Sequence, residues 1–178
     1  MTFRVFACCL QLRSITKQLR GLVLCAAALW VWQAQALTIM GRVIRVADGD
    51  TVTVQDQALQ TYKVRLAGID APEKNQAFGE LSRQSLYDMV HGKTVQLETH
   101  KRDKYGRHVG TLTVDNADVN LLQVQRGMAW HYTAYAREQA QQDQRSYSRA
   151  ERQAREDKLG LWAEGSALAP WAWRQGER

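Results

Sequence analysis

Residues 64–73 read V-R-L-A-G-I-D-A-P-E, an apolar strand with one arginine inside it, closed by an aspartate, a proline and a glutamate. A strand alternates its faces, so Arg65 lies among Val64, Leu66, Ala67 and Ile69. There its fixed fork of donors is desolvated unless a carboxylate or a phosphate-like anion receives it. Pro72 has no N–H and pushes its predecessor out of helical geometry, so the strand is expected to end near Ala71 and to display Asp70 and Glu73 on the turn. Two readings follow. In one, a buried Arg65–Asp70 pair merely closes the strand and Glu73 is solvated; in the other, these groups form a site that handles an anion.

Two distant segments favour the site. Residues 46–54 (V-A-D-G-D-T-V-T-V) read as a strand, a D-G turn and a second strand, a hairpin expected to expose Asp48 and Asp50. Residues 103–107 (D-K-Y-G-R) form another polar turn between strand-like runs and end in a second arginine. With D-G-D-T, R-L-x-x-I-D-A-P-E and D-K-Y-G-R in this order, the sequence resembles the thermonuclease, or staphylococcal nuclease, family over roughly residues 38–174. Each motif alone recurs in unrelated proteins; their order and spacing carry the resemblance.

The N-terminus is expected to be a secretory signal. Residues 1–36 hold Arg4, Arg13, Lys17 and Arg20 with no acid, then an uncharged run over 21–32 and an A-x-A ending at Ala36. That run of 12 residues is short of the roughly 20 that span a bilayer, which favours cleavage over an uncleaved anchor drawn from residues 21–40. Leu22-Val23-Leu24 before Cys25 puts bulky residues where a lipoprotein signal takes small ones. Cys8, Cys9 and Cys25 all lie in this segment, so residues 37–178 carry no thiol and must be held by their core alone. The whole chain has 24 bases and 18 acids; without the four signal bases, 20 remain against 18, a net charge of +2. Global charge therefore says little about a polyanionic partner, and any such preference must come from the local placement of Arg65, Lys104 and Arg107. Location is expected to be secreted or periplasmic.

Residues 39–46, 51–54 and 61–67 read as three sequential strands, rich in β-branched residues and separated by turn chemistry. Over 79–90 the period changes: Leu86, Met89 and Val90 fall at i, i+3 and i+4, with Gly92 beyond them as a helix stop. Residues 93–99 and 108–114 give two more strands about the D-K-Y-G-R turn. Asp118 caps a second expected helix that stops at Gly127, and a third is expected over 137–156 with a thin apolar stripe at Tyr147, Ala150 and Ala154. Five strands with a helix between the third and fourth suggest a closed or nearly closed barrel. The resemblance implies an α+β fold, a five-stranded OB-type barrel with three helices. The expected organisation is one domain over 37–178, with a core at about 38–164 and a tail at 165–178. Trp162, Trp171 and Trp173 are expected to pack as a satellite of the core; the alternative is an interaction surface.

The chemistry is read partly from residue type and partly from the resemblance. Hydrolysis of a phosphodiester requires its charge to be neutralised and a hydroxide developed near neutral pH. Asp50 and Asp70 are hard oxygen donors suited to Ca²⁺ or Mg²⁺ rather than zinc. The resemblance implies one Ca²⁺ held by Asp50, Asp70 and the main-chain carbonyl of Ala71, which stands where the best known member has threonine. It implies Glu73 as general base, and Arg65 and Arg107 as clamps on the phosphoryl oxygens. It also implies Lys104 and Tyr105 as contacts to a terminal phosphate, and Tyr132 and Tyr135 as stacking residues for a nucleotide. Residues 74–78 form a shorter loop than in that member, with one lysine, which bears on substrate range more than on reaction type. His91, His100, His108 and His131 have no paired metal-ligand spacing.

The implied function is an exported, Ca²⁺-dependent endonuclease acting on DNA and RNA, with single-stranded or frayed regions preferred and 3′-phosphate ends left. It works as a monomer without an obligate protein partner. The alternative is a catalytically inactive OB-type module that binds nucleic acid, since a fold does not fix a function. Retention of Asp50, Asp70 and Glu73 argues against that alternative.

Overall fold

A computed structural model describes residues 37–165 and 167–176. The expected signal segment, residues 1–36, and the last two residues of the tail lie outside those described. Among the described residues, no helix is long and apolar enough to cross a membrane.

Five long strands close into a barrel. Strands β1 (Leu37–Asp48), β2 (Thr51–Gln55) and β3 (Thr61–Leu66) form a meander, and β5 (Thr94–Arg102) and β6 (His108–Val114) form a hairpin that pairs with β1 through β5. β1 serves two neighbours. Its first half pairs with β5 over Leu37–Arg42 and its second half with β2 over Arg42–Asp48. The half paired with β2 carries two register shifts, between Val43 and Arg45 and between Val46 and Asp48, the bending that bulges produce. Gly41 marks the crossing, because a Cβ there would come within 2.5 Å of the Gln55 carbonyl oxygen. Closure is parallel: Val64, Arg65 and Leu66 of β3 lie beside His108, Val109 and Gly110 of β6.

The apolar alternation seen in the sequence points inward. Val43, Val52, Val54, Val64, Leu97 and Leu112 are fully buried in the barrel. Helix α1 (Gly79–Val90) covers it with Leu86, Met89 and Val90, as the spacing predicts, and the chain leaves the helix through Gly92 at φ +73°. Helix α2 (Val119–Gln125) is capped by Asp118, whose carboxylate accepts from the Leu121 N–H at 3.1 Å. Helix α3 (Gln141–Glu156) buries Tyr147, Ala150 and Ala154, the stripe expected of it.

Three features differ from the expectation. Helix α3 begins at Gln141 rather than Arg137, because residues 133–138 wind as a tighter turn with a kink at Tyr135. Gln139 then runs extended, and its amide reaches His131 at 3.0 Å. Short strands β4 (Ile69–Asp70) and β8 (Trp130–His131) pair with each other, while β7 (Ala117–Asp118) extends the sheet beyond β6. A fourth helix, α4 (Pro170–Arg174), follows Ala169 with proline in its first turn, where a missing N–H costs nothing. The tail does pack as a satellite of the core. Trp130, Ala154, Leu161 and Trp162 form a second apolar cluster, against which Phe78, Ala167, Ala169 and Trp171 lie.

Candidate active site

The turn between β1 and β2 is buried, not displayed. Asp50 is 6% exposed. The cause is α1: a Cβ on Gly49 would come within 1.9 Å of the Ser82 hydroxyl, so glycine is required here by close approach. The Gln123 amide holds the turn by donating to the Gly49 carbonyl at 2.8 Å. Inside the turn, the Asp48 carboxylate accepts from the Asp50 N–H at 3.0 Å.

Asp50 and Asp70 meet on one guanidinium. Arg65 places Nη1 2.8 Å from Asp50 Oδ2 and Nη2 2.7 Å from Asp70 Oδ1. Asp50 Oδ2 also accepts the Ala71 N–H at 2.9 Å, and Oδ1 accepts the Thr51 hydroxyl at 3.0 Å. The motifs at 48–51 and 65–73 are thereby one structure. Burial opposes the charge on Arg65, but Asp50, Asp70 and Asp48 outweigh it and raise its pKa. Burial and the neighbouring Asp50 push Asp48 up to about 7. Asp70, 1% exposed, is also raised by burial, against the pull of Arg174 and Arg65.

Arg174, from α4, completes the cluster. Its Nη2 lies 2.8 Å from Asp70 Oδ2, and its Nη1 donates to Glu73 Oε1 at 2.7 Å and reaches Asp70 Oδ1 at 3.3 Å. The Glu73 loop is tied to the same tail. Gln76 accepts the Glu73 N–H at 3.0 Å and donates to the Leu168 carbonyl at 2.6 Å. Sequence reasoning overlooked Arg174, although a signal was present: Asp48, Asp50, Asp70 and Glu73 outnumber Arg65, and such a cluster needs more positive charge.

The remaining candidates form two neighbouring groups. Asp103 accepts the N–H groups of Tyr105 and Arg107 on Oδ1, both at 2.9 Å, and the Arg107 Nε–H on Oδ2 at 2.7 Å. Tyr105 is 71% exposed, with Lys104 Nζ 5.1 Å and Arg107 Cζ 5.5 Å from its ring centre. Arg65 is level with Val109 in the parallel pair. Arg107 stands two residues before Val109, immediately ahead of β6. In the second group, the Tyr132 N–H donates to the Gly68 carbonyl at 2.9 Å, just before β4. Its ring stacks on Trp171 at 5.5 Å, while Tyr135 is exposed and lies 5.3 Å from Lys101 Nζ.

The chain also matches a family model. Residues 63–164 fit the model described as staphylococcal nuclease homologue. This chain belongs to the staphylococcal nuclease family. It is 39% identical over 147 residues to "Micrococcal nuclease" of Shigella flexneri, covering 78% of this chain and 82% of that one. It is 38% identical over 144 residues to an "Uncharacterized endonuclease" of Escherichia coli, covering 80% and 90%. It is also 38% identical over 137 residues to an "Uncharacterized endonuclease" of Haemophilus influenzae, covering 77% and 74%.

As a member of the staphylococcal nuclease family, the chain has donors that fit a hard cation: carboxylates of Asp50 and Asp70 beside the Ala71 backbone, with no sulfur or imidazole among them. Among the described residues, no three His, Cys, Asp or Glu side chains gather as a metal cluster. Guanidinium groups of Arg65 and Arg174 provide the countercharge to these carboxylates. The two arginine candidates also differ. Both Nη groups of Arg65 are on carboxylates, whereas among the described residues those of Arg107 have no hydrogen-bond partner.

Proposed function

We propose that this protein is an exported, Ca²⁺-dependent endonuclease that hydrolyses phosphodiester bonds in DNA and RNA, prefers single-stranded or frayed regions, and leaves 3′-phosphate ends. The observation that carries this reading is the convergence of Asp50 and Asp70 on Arg65, with Glu73 joined to the same cluster by Arg174. Support comes from membership of the family and from relatives whose names specify nuclease or endonuclease.

Asp50, Asp70 and the Ala71 carbonyl would hold the ion. Bound Ca²⁺ would supply positive charge to the phosphodiester and lower the pKa of a water beside it. Glu73, on the loop after Pro72, takes the proton of the attacking water. As the water oxygen bonds to phosphorus, the bond to the 5′ oxygen breaks, and that oxygen leaves with a proton from solvent. Arg107 meets the developing charge on the phosphoryl oxygens with its unpartnered Nη groups, and Arg65 supports it from the neighbouring strand. Lys104 and Tyr105 sit beside Arg107 to meet a flanking phosphate, and Tyr132 and Tyr135 offer rings to a base.

Export to the periplasm or medium rests on residues 1–36, with four bases, no acid, an apolar run and an A-x-A end. The single barrel is proposed to act as a monomer. Digestion of heat-denatured DNA and of RNA, with Ca²⁺ and with chelator, tests the reading. Cleavage that requires Ca²⁺ is expected, and failure to cut either polymer at any Ca²⁺ concentration sinks it.

A further inference from the structure

We propose that Arg174 holds the place of the divalent cation, so that its guanidinium and the ion exclude each other at Asp70 and the tail sets the metal affinity of the site. This rests on the metal reading given above and extends it to a residue outside the motifs.

The geometry leaves little room for both. Asp70 is almost wholly buried, and its two oxygens already face Arg65 Nη2 at 2.7 Å and Arg174 Nη2 at 2.8 Å. A Ca²⁺ ligand oxygen lies roughly 2.3–2.6 Å from the ion, so coordination by Asp70 needs the direction that a guanidinium now fills. Arg65 is locked in the barrel by Asp50 and by the Leu66 and Ile69 carbonyls. Arg174 is the group that can withdraw. Its side chain is 43% exposed, and it projects from a five-residue helix at the edge of the fold. Its second contact is Oε1 of Glu73, the proposed base, so the same arginine spans the metal ligand and the base. An arginine gives this exclusion its force, since a planar fork grips two carboxylates at once and stays charged at any working pH.

The trade is between two cations at one acidic cluster, so removing the resident one must favour the other. Titration calorimetry with CaCl₂ compares the wild-type protein with Arg174→Ala and Arg174→Lys. Arg174→Ala is expected to bind Ca²⁺ roughly fivefold or more tightly, the equivalent of a modest, partly exposed ion pair. Arg174→Lys, which keeps the charge without the fork, is expected to fall between them. Thermal melts add a readout that a merely structural arginine would not move: Arg174→Ala starts at a lower Tm in chelator yet gains more from Ca²⁺ than wild type. Ca²⁺ affinity in Arg174→Ala equal to or weaker than wild type overturns the proposal and leaves the metal reading standing. Absence of Ca²⁺ binding in both wild type and Arg174→Ala overturns both. Binding seen only in Arg174→Ala supports both.

Discussion

Asp103 takes the Nε–H of Arg107 at 2.7 Å and leaves the Nη groups of that arginine without a hydrogen-bond partner among the described residues. Arg65, one strand over, has both Nη groups on buried carboxylates. The two arginines should therefore fail differently. Arg107→Ala is expected to lower turnover by roughly 10²–10³-fold, the scale for loss of a transition-state donor. Its stability should fall by no more than about 1 kcal/mol, because the pair it leaves is partly solvated. Arg65→Ala takes the guanidinium from buried Asp50 and leaves Asp70 with Arg174, and is expected to cost about 3–5 kcal/mol in chelator. Urea unfolding and single-turnover cleavage separate the cases; equal stability loss in both variants would contradict the assignment.

Gln76 pins the Glu73 backbone to the tail, while the Glu73 carboxylate pairs with Arg174. Glu73→Gln keeps the shape and removes the basicity. Turnover is expected to drop by roughly 10²–10⁴-fold, the range for loss of general base catalysis, with KM changed far less. A near-normal kcat in Glu73→Gln would move the base elsewhere.

The barrel was legible in the sequence because strands announce themselves locally. Alternation over 39–46 and 61–67 marks which side chains turn inward, and Val43, Val64 and Leu66 do. The helix stops at Gly92 and Gly127 were equally local, and both glycines sit at positive φ. Contacts across long separations were not legible. Arg174 lies 104 residues from Asp70, and nothing at W-A-W-R states which carboxylate it will find. The burial of Asp50 was missed for a similar reason: a D-G turn looks like a hairpin tip until α1 presses Ser82 onto Gly49. The start of α3 was displaced because Gln139 bonds to His131 instead of continuing a helix, a tertiary preference that periodicity does not contain.

His108 gives the fold a dependence on pH. It is buried at the parallel seam, edge-on to Tyr62, with Nε2 lacking a partner among the described residues. Burial first, and the charge of Arg102 second, lower its pKa from 6.5. The unfolded chain thus binds this proton more readily than the folded one. The associated stability is complete above pH 6.5 and is lost as pH falls from 6.5 through the lower folded value. Asp48, whose pKa is raised, acts with the opposite sign, so the effect is read as a difference between variants. The gap in urea midpoint between wild type and His108→Phe is expected to shift in favour of the phenylalanine variant as pH falls from 6.5 to about 5. A gap that does not change with pH would show that His108 titrates alike in both states.

Asn120 locks the barrel shut. It is fully buried at the start of α2, where its Nδ2 donates to the carbonyls of Ala67 at 3.0 Å and Gly110 at 3.1 Å while its Oδ1 accepts the Leu112 N–H at 3.2 Å. Those groups belong to the two strands at one end of the parallel seam, which has three residue pairs and places Arg65 beside the strand that follows Arg107. Asn120→Ala removes three hydrogen bonds and leaves backbone groups buried without them, so a loss of about 3–5 kcal/mol is expected. Asn120→Asp should be at least as damaging despite its matching shape, because a carboxylate has no N–H to offer two carbonyls and its charge is desolvated. Urea unfolding of both variants measures this. A loss below about 1 kcal/mol in Asn120→Ala would mean that the strands close the seam without the side chain.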